Sequence, residues 1–314
     1  MFSIEKCNGN RKKIRLFGIP IFKTGKRIKG SYGLINCLED LLGLKLNDKK
    51  IGIQHGWFPG DDVSIYDLER DFQVMLAWNH RIKQKWKEKS NTPCYVVGCP
   101  FIHYRRKYNI IPRSDKQKGT IAFPAHSTKD VKAIYDLDKY CEVLEKLPKE
   151  YQPITISLHY QDIILYSLDK EFQKRGFETI CVSLQEGKNF YWHFYEILKK
   201  YKYATSNEPG TYMLYAIEMG IPFFIIKESE LVQRDNRSGK DRNLPLAVVS
   251  ILDTPFGRKA YELFAVNYDV ITRRGGGIKI TDEQRQFVID ESGVEDCMDR
   301  QVLRDILKNK IKIN

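Results

Sequence analysis

Three histidines stand directly after apolar, strand-like runs: His55 in Gln54-His-Gly56, His126 in Phe123-Pro-Ala-His-Ser127 and His159 in Ser157-Leu-His-Tyr160. Imidazole changes charge near neutrality, so at a strand's carboxyl end it can take a proton from a hydroxyl or hold a phosphate or sugar oxygen. His55 reads as a general base for an acceptor hydroxyl, and His126, Ser127 and His159 as ligands of a phosphate or donor sugar. Glu186 follows the next strand in the same manner. Any one of these side chains is as well explained by bonds to its own loop. Together they carry more weight, because the carboxyl ends of a wound parallel sheet converge on one edge.

A fourth turn adds a phosphate cradle. Tyr203-Ala-Thr-Ser-Asn-Glu-Pro-Gly-Thr211 reads as a strand passing into a helix that Gly220 stops and Pro222 keeps from continuing. Ser206 or Asn207 can cap it, Pro209 suits its first position, and Gly210 and Thr211 leave amides and a hydroxyl in its first turn. Such amides, at the positive end of a helix dipole, attract a mono- or diphosphate. Glu208 would repel that charge and is assigned to sugar hydroxyls instead. An ordinary strand-to-helix turn is the competing explanation.

Other chemistries lack their residues. There is no G-x-x-x-x-G-K-[ST] loop and no G-x-G-x-x-G after a strand. The seven cysteines show no close-pair metal spacing and read as reduced, mostly buried thiols. Asp136-Leu-Asp138 has the spacing of metal-dependent sugar transferases. On the helix expected there, residues two apart face about 200° from each other, so the pair reads as surface charge.

The elements that must position these groups alternate. Strand-like runs at 14–17, 50–54, 94–97, 120–123, 154–157, 179–182, 203–205, 223–226 and 246–251 are separated by helical spacing over 32–42, 68–87, 129–146, 163–175, 192–200 and 211–219. That order predicts an α/β protein of two Rossmann-like domains with a helical C-terminal tail. The charged stretch 111–118 reads as a linker between an acceptor-side domain, 1–110, and a nucleotide-binding domain, 119–270. Residues 228–244 read as a loop at the mouth of the second domain, and 271–314 as a helical extension with a capping box at Thr281-Asp-Glu-Gln284.

The 314 residues, 42% of them hydrophobic, suffice for a sizeable core. No apolar run approaches the roughly 20 residues of a membrane span and no signal-peptide core opens the chain, so a cytoplasmic protein is expected. A net charge of +12 calls for an anionic partner. Lys12, Lys13 and Arg15 beside Phe17 and Ile19, and Lys308, Lys310 and Lys312 beside Leu307, Ile311 and Ile313, suit peripheral contact with an anionic inner-membrane surface. They suit a solvated face equally. Nucleic acid is not expected, because no groove-reading motif is present.

With these residues placed, the chain resembles the bacterial GT-B-type glycosyltransferases of surface polysaccharide (lipopolysaccharide and capsule) biosynthesis. The opening Lys12-Lys-Ile-Arg-Leu-Phe-Gly-Ile-Pro-Ile-Phe-Lys23 is similar to the start of many such enzymes. Gln54-His-Gly56, Val97-Gly-Cys-Pro100, Ala125-His-Ser127 and Thr205-Ser-Asn-Glu-Pro-Gly-Thr211 follow in an order similar to that of polyol-phosphate and capsular sugar transferases. The resemblance implies a two-domain GT-B enzyme with His55 as base and the donor phosphate in the Ser206–Thr211 turn. It further implies a UDP-, GDP- or CMP-linked sugar passed, without a metal or other cofactor, to a glycan or lipid-linked acceptor. Retaining members often carry two glutamates eight residues apart here, whereas Glu208 and Glu218 are ten apart, which leaves the stereochemistry open. A CDP-dependent polyol-phosphate transferase and a non-catalytic nucleotide- or glycan-binding scaffold are the alternatives.

Overall fold

The computed structural model describes residues 2–7, 11–16, 19–20, 31–46, 49–63, 65–68, 70–112, 115–128, 131–182, 190–228, 232–235, 250–273 and 277–310. β1 (Phe2–Cys7), β2 (Arg11–Leu16) and β3 (Ile19–Pro20) form a separate antiparallel sheet, so the strand expected at 14–17 belongs to a hairpin. After α1 (Leu34–Leu42), β4 (Ile51–Ile53), the single turn α2 (Ile65–Leu68), β5 (Val74–Ala77), α3 (His80–Lys89) and β6 (Cys94–Val96) build a three-stranded parallel sheet in chain order, followed by α4 (Pro100–Lys107).

The helix expected over 68–87 is therefore corrected. Val74, Met75, Leu76 and Ala77 form the fully buried middle strand, and Asn79 caps only α3, accepting from the Ile82 amide at 3.0 Å. A strand covered on both faces shows no alternation, which hides it from a reading based on periodicity.

The second unit runs β7 (Thr120–Ala122), β8 (Lys132–Ile134), α5 (Leu137–Glu145), β9 (Ile154–Ser157), α6 (Tyr160–Tyr166), α7 (Leu168–Lys174), β10 (Glu178–Ile180), α8 (Phe190–Leu198), β11 (Tyr203–Ser206), α9 (Thr211–Glu218), β12 (Phe223–Ile226), β13 (Gln233–Asp235), α10 (Pro255–Phe264) and β14 (Ala265–Val266). Its main sheet has the order β10-β9-β7-β11-β12-β14 with every neighbour parallel. Counted along the chain, that is 3-2-1-4-5-6, the doubly wound order, and the winding reverses between β7 and β11.

Four further boundaries differ from expectation. The helix expected over 129–146 begins with β8, paired antiparallel to β13, and only then enters α5, where Asp136 caps by accepting from the Lys139 amide. Asp138 pairs with Arg175, so each carboxylate of the D-x-D motif has its own structural partner. The helix expected over 163–175 breaks at Ser167, whose φ of 51° is left-handed. The loop expected over 228–244 contains β13, and the strand expected at 246–251 gives way to a 3₁₀ turn at Ile251–Asp253, while 246–249 lie outside the described residues.

After α11 (Tyr268–Arg273), α12 (Asp282–Ser292) opens with the expected capping box: the Thr281 hydroxyl accepts from the Gln284 amide, and the Gln284 side chain accepts from the Thr281 amide. α12 then ends against the first parallel unit, where the Ser292 carbonyl accepts from the Cys99 amide at 2.8 Å. Leu303 and Leu307 of α13 (Arg300–Lys310) are buried beside Leu34 and Leu42 in one apolar core that runs through both sheets. The burial of Leu307 removes it from the lipid-facing stripe expected at the C-terminus; Ile311, Lys312 and Ile313 lie outside the described residues. No described helix is long and apolar enough to cross a membrane, and Cys37, Cys94, Cys99, Cys141, Cys181 and Cys297 are free thiols.

Candidate functional site

The winding reversal sets the place. In an open α/β sheet the strands on either side of the reversal send their following loops apart, leaving a crevice at their carboxyl ends. Here those loops are 123–128 after β7 and 207–210 after β11, and they are tied to each other: the Ala125 amide donates to the Asn207 side-chain oxygen at 2.8 Å, and the Phe123 amide to the Thr205 carbonyl at 2.8 Å. The ring of Phe123 stacks on Tyr212 at 5.0 Å and 8°. The start of α6, which follows β9, joins them, because the buried Asp162 in its first turn accepts from the Ser127 amide at 2.8 Å.

His126 and His159 are brought together, with ring centroids 4.7 Å apart. His159 occupies the cap position of α6, its Nδ1 accepting from the Gln161 amide at 3.3 Å. Burial pushes its pKa down to about 4, against a smaller opposing pull from a hydrogen bond to the Ser127 backbone. It is thus a neutral imidazole near pH 7, a hydrogen-bonding group and not a counterion for phosphate.

Several expected ligands prove to be braces. The Ser127 hydroxyl accepts from the Ala133 amide at 3.1 Å, and the Ser206 hydroxyl donates to the Phe123 carbonyl at 2.6 Å. Ser206, Asn207 and Glu208 are all at most 4% exposed. Neither Ser206 nor Asn207 caps α9. Gly210 holds the cap position without a side-chain bond, α9 starts at Thr211, and Pro209 therefore lies outside the helix instead of at its first position. A Cβ on Gly210 would come within 2.6 Å of the Tyr212 ring, which is why glycine is needed there. The Asn207 side-chain nitrogen has no acceptor among the described residues, a buried donor left over at the reversal point. Glu186 lies outside the described residues.

The first sheet meets this edge directly. The Trp57 amide donates to the Thr211 hydroxyl at 2.9 Å, so the loop after β4 and the first turn of α9 share a hydrogen bond. That loop is held from beneath. Gln54 accepts from the Trp78 amide and donates to the Gly56 carbonyl, both at 2.9 Å, and the Trp57 indole donates to Glu291 at 2.7 Å. Arg81 completes the brace with an ion pair to Glu291 at 2.6 Å. His55, between Gln54 and Gly56, is exposed and lines a cleft of about 30 Å³ with Phe58 and Asp67. Burial raises the Asp67 pKa, and the charges of His55 and Arg70 oppose that rise.

Glu218 belongs elsewhere. At the far end of α9 it receives Arg105 at 2.5 Å and Arg106 at 2.9 Å, an ion cluster locking α9 to α4. A larger cavity of about 490 Å³, lined by Lys149, Gln152, Arg175 and Glu178, lies at the amino ends of β9 and β10, on the edge opposite the crevice.

Asp162, Tyr212, Gln54 and Asp67 were not singled out from the sequence. Asp162 carried one usable signal, its position three residues after a potential cap at His159, where a carboxylate favours a helix start. The others act through contacts across the fold.

No family model matches the sequence, and no curated protein matches it. A solved structure described as a co-structure of S. aureus MnaA with UDP aligns with 90% of this chain and 80% of its own, at 13% identity and a TM-score of 0.40.

Proposed function

We propose that this protein is a glycosyltransferase of the GT-B kind, moving a sugar from a nucleotide-sugar donor to a glycan or lipid-linked acceptor. The observation that carries this reading is the joining of two parallel sheets at their carboxyl edges. The reversal point of the six-stranded sheet opens against the loop after β4, and the Trp57–Thr211 hydrogen bond marks the seam. Such a seam places a donor and an acceptor from opposite sides at one reaction centre.

The donor phosphate is met by the amino end of α9 and the positive end of its dipole. The Asn207 side-chain nitrogen supplies a further donor. His126 and His159 face the sugar, while Ser127, Ser206, Glu208 and Gly210 shape the loops that hold it. His55, exposed on the opposite rim, accepts the proton of the attacking hydroxyl as its oxygen bonds to the sugar's anomeric carbon. The bond from that carbon to phosphate breaks, and the nucleotide departs with the electron pair. Asp67 stabilises the imidazolium so formed.

A thermal-shift series with UDP, GDP, CMP, CDP and their sugars tests the reading, since a ligand that binds only the folded chain raises its melting temperature. A selective shift with one nucleotide class is expected. A flat response to all of them would sink the transferase and favour the scaffold.

A further inference from the structure

His55 is the exposed member of an otherwise buried or half-buried run, 51–60, and the backbone beyond it is fastened residue by residue. The Gly56 carbonyl accepts from the Gln54 side chain at 2.9 Å, the Phe58 and Gly60 carbonyls from Arg81 of α3 at 2.9 and 2.8 Å, and the Pro59 carbonyl from the Phe256 amide of α10 at 3.1 Å. Surface loops ordinarily leave such groups to water and are mobile. A loop tied at each residue, with one imidazole left in solvent, suits a side chain whose place matters to a reaction.

The remaining residue, Trp57, is fastened from the donor side. Its amide donates to the Thr211 hydroxyl at 2.9 Å, and Thr211 opens α9. Gly56 makes room for that hydroxyl, since a Cβ there would lie 3.1 Å from the Thr211 oxygen. α9 is also the element whose amino end meets the donor phosphate in the reading above, so one helix start sets both the donor and the loop that carries the base. A displacement of about 1 Å from the productive geometry can cost ~100-fold in rate, which gives such a tie kinetic weight.

Resting on the glycosyl-transfer reading above, we infer that Thr211 is a positioning residue of that reaction: its hydroxyl, placed by the first turn of α9, fixes the backbone two residues after His55 and so registers the general base against the donor.

The full chain is assayed for release of nucleotide from UDP-glucose, GDP-mannose and CMP-sialic acid, and for their Kd by calorimetry. For the donor that the wild type turns over, Thr211→Val keeps the side-chain shape, loses the acceptor and lowers kcat about tenfold, as expected for one uncharged hydrogen bond, with Kd unchanged. Thr211→Ser keeps the hydroxyl and retains wild-type turnover. Because His55 carries the effect, Thr211→Val leaves the residual turnover of His55→Ala unchanged, whereas a general defect in the fold would lower it again by the same factor. A repeated loss in the His55→Ala background, a weakened Kd in Thr211→Val, an equal loss in Thr211→Ser, or no loss in either variant overturns the inference and leaves the glycosyl-transfer reading standing. A wild type that turns over none of the three donors removes that reading and this inference with it.

Discussion

A general base has to meet both its substrate and the solvent that finally receives the proton, and the site histidines divide on that requirement. His55 is exposed on the rim, whereas His159 is half-buried and neutral. Replacing His55 with alanine is expected to lower turnover by about 100-fold or more while the Kd for the donor nucleotide stays at its wild-type value. Normal turnover in that variant would transfer the proton-accepting role to another group. Serines and threonines behave differently: Ser127, Ser206 and Thr211 each spend a hydroxyl on a neighbouring loop. Their chemistry suits phosphate binding, yet the fold uses it to fix the loops that surround the ligand.

At the scale of elements, α9 and α12 are the parts that keep the two sheets in one arrangement. Glu218, at the end of α9, is 6% exposed and holds Arg105, which is 12% exposed. Glu218→Ala leaves that buried cation uncompensated and is expected to cost about 3–5 kcal/mol in a urea melt. The end of α12 is equally constrained. Gly293 is left-handed at φ 63°, and a Cβ there would lie 1.9 Å from the Trp78 carbonyl oxygen, whereas Gly220, at φ 85°, has open space around it. Gly220→Ala should cost only the conformational strain, about 1–2 kcal/mol. Gly293→Ala adds a backbone collision and should exceed about 3 kcal/mol, moving the docked end of α12 off β5. Equal losses in the two variants would contradict the close approach.

For the molecule as a whole, the half-buried histidines His103 and His159 make stability depend on pH. Burial holds both His103 and His159 down at about 4, with the charge of Arg300 adding to the effect on His103. In the unfolded chain each takes up a proton near 6.5, so between those values the unfolded state binds more protons and stability falls as pH falls. Above that window neither histidine contributes a slope. Each is worth roughly 3 kcal/mol across the whole interval. Urea melts at pH 7 and pH 5 check this: His103→Gln should lose less stability over that step than the wild type, and an identical loss would rule out the depressed value for His103.

The sequence alone determined what its local physics controls. The runs 154–157 and 223–226 are strands with the bounds read from their apolar content, because burial on both faces demands it. The capping box at Thr281 and Gln284 formed as written, since its two bonds join residues three apart. The alternation of strand and helix likewise led to a parallel α/β architecture, as few other folds accommodate it. Tertiary structure decided the rest. Val74–Ala77 is a strand only because β4 and β6 flank it, and the same apolar run suits a helix when no neighbour is specified. Ser206 and Asn207 look like caps, yet the hydroxyl of one and the side-chain oxygen of the other bond to the loop after β7, more than 80 residues earlier in the chain. Tyr32 and His159 are 127 residues apart and meet only once the sheets have packed. Spacing along the chain encodes partners within a turn or two; partners separated by a whole domain are selected by burial and shape, which no local pattern records.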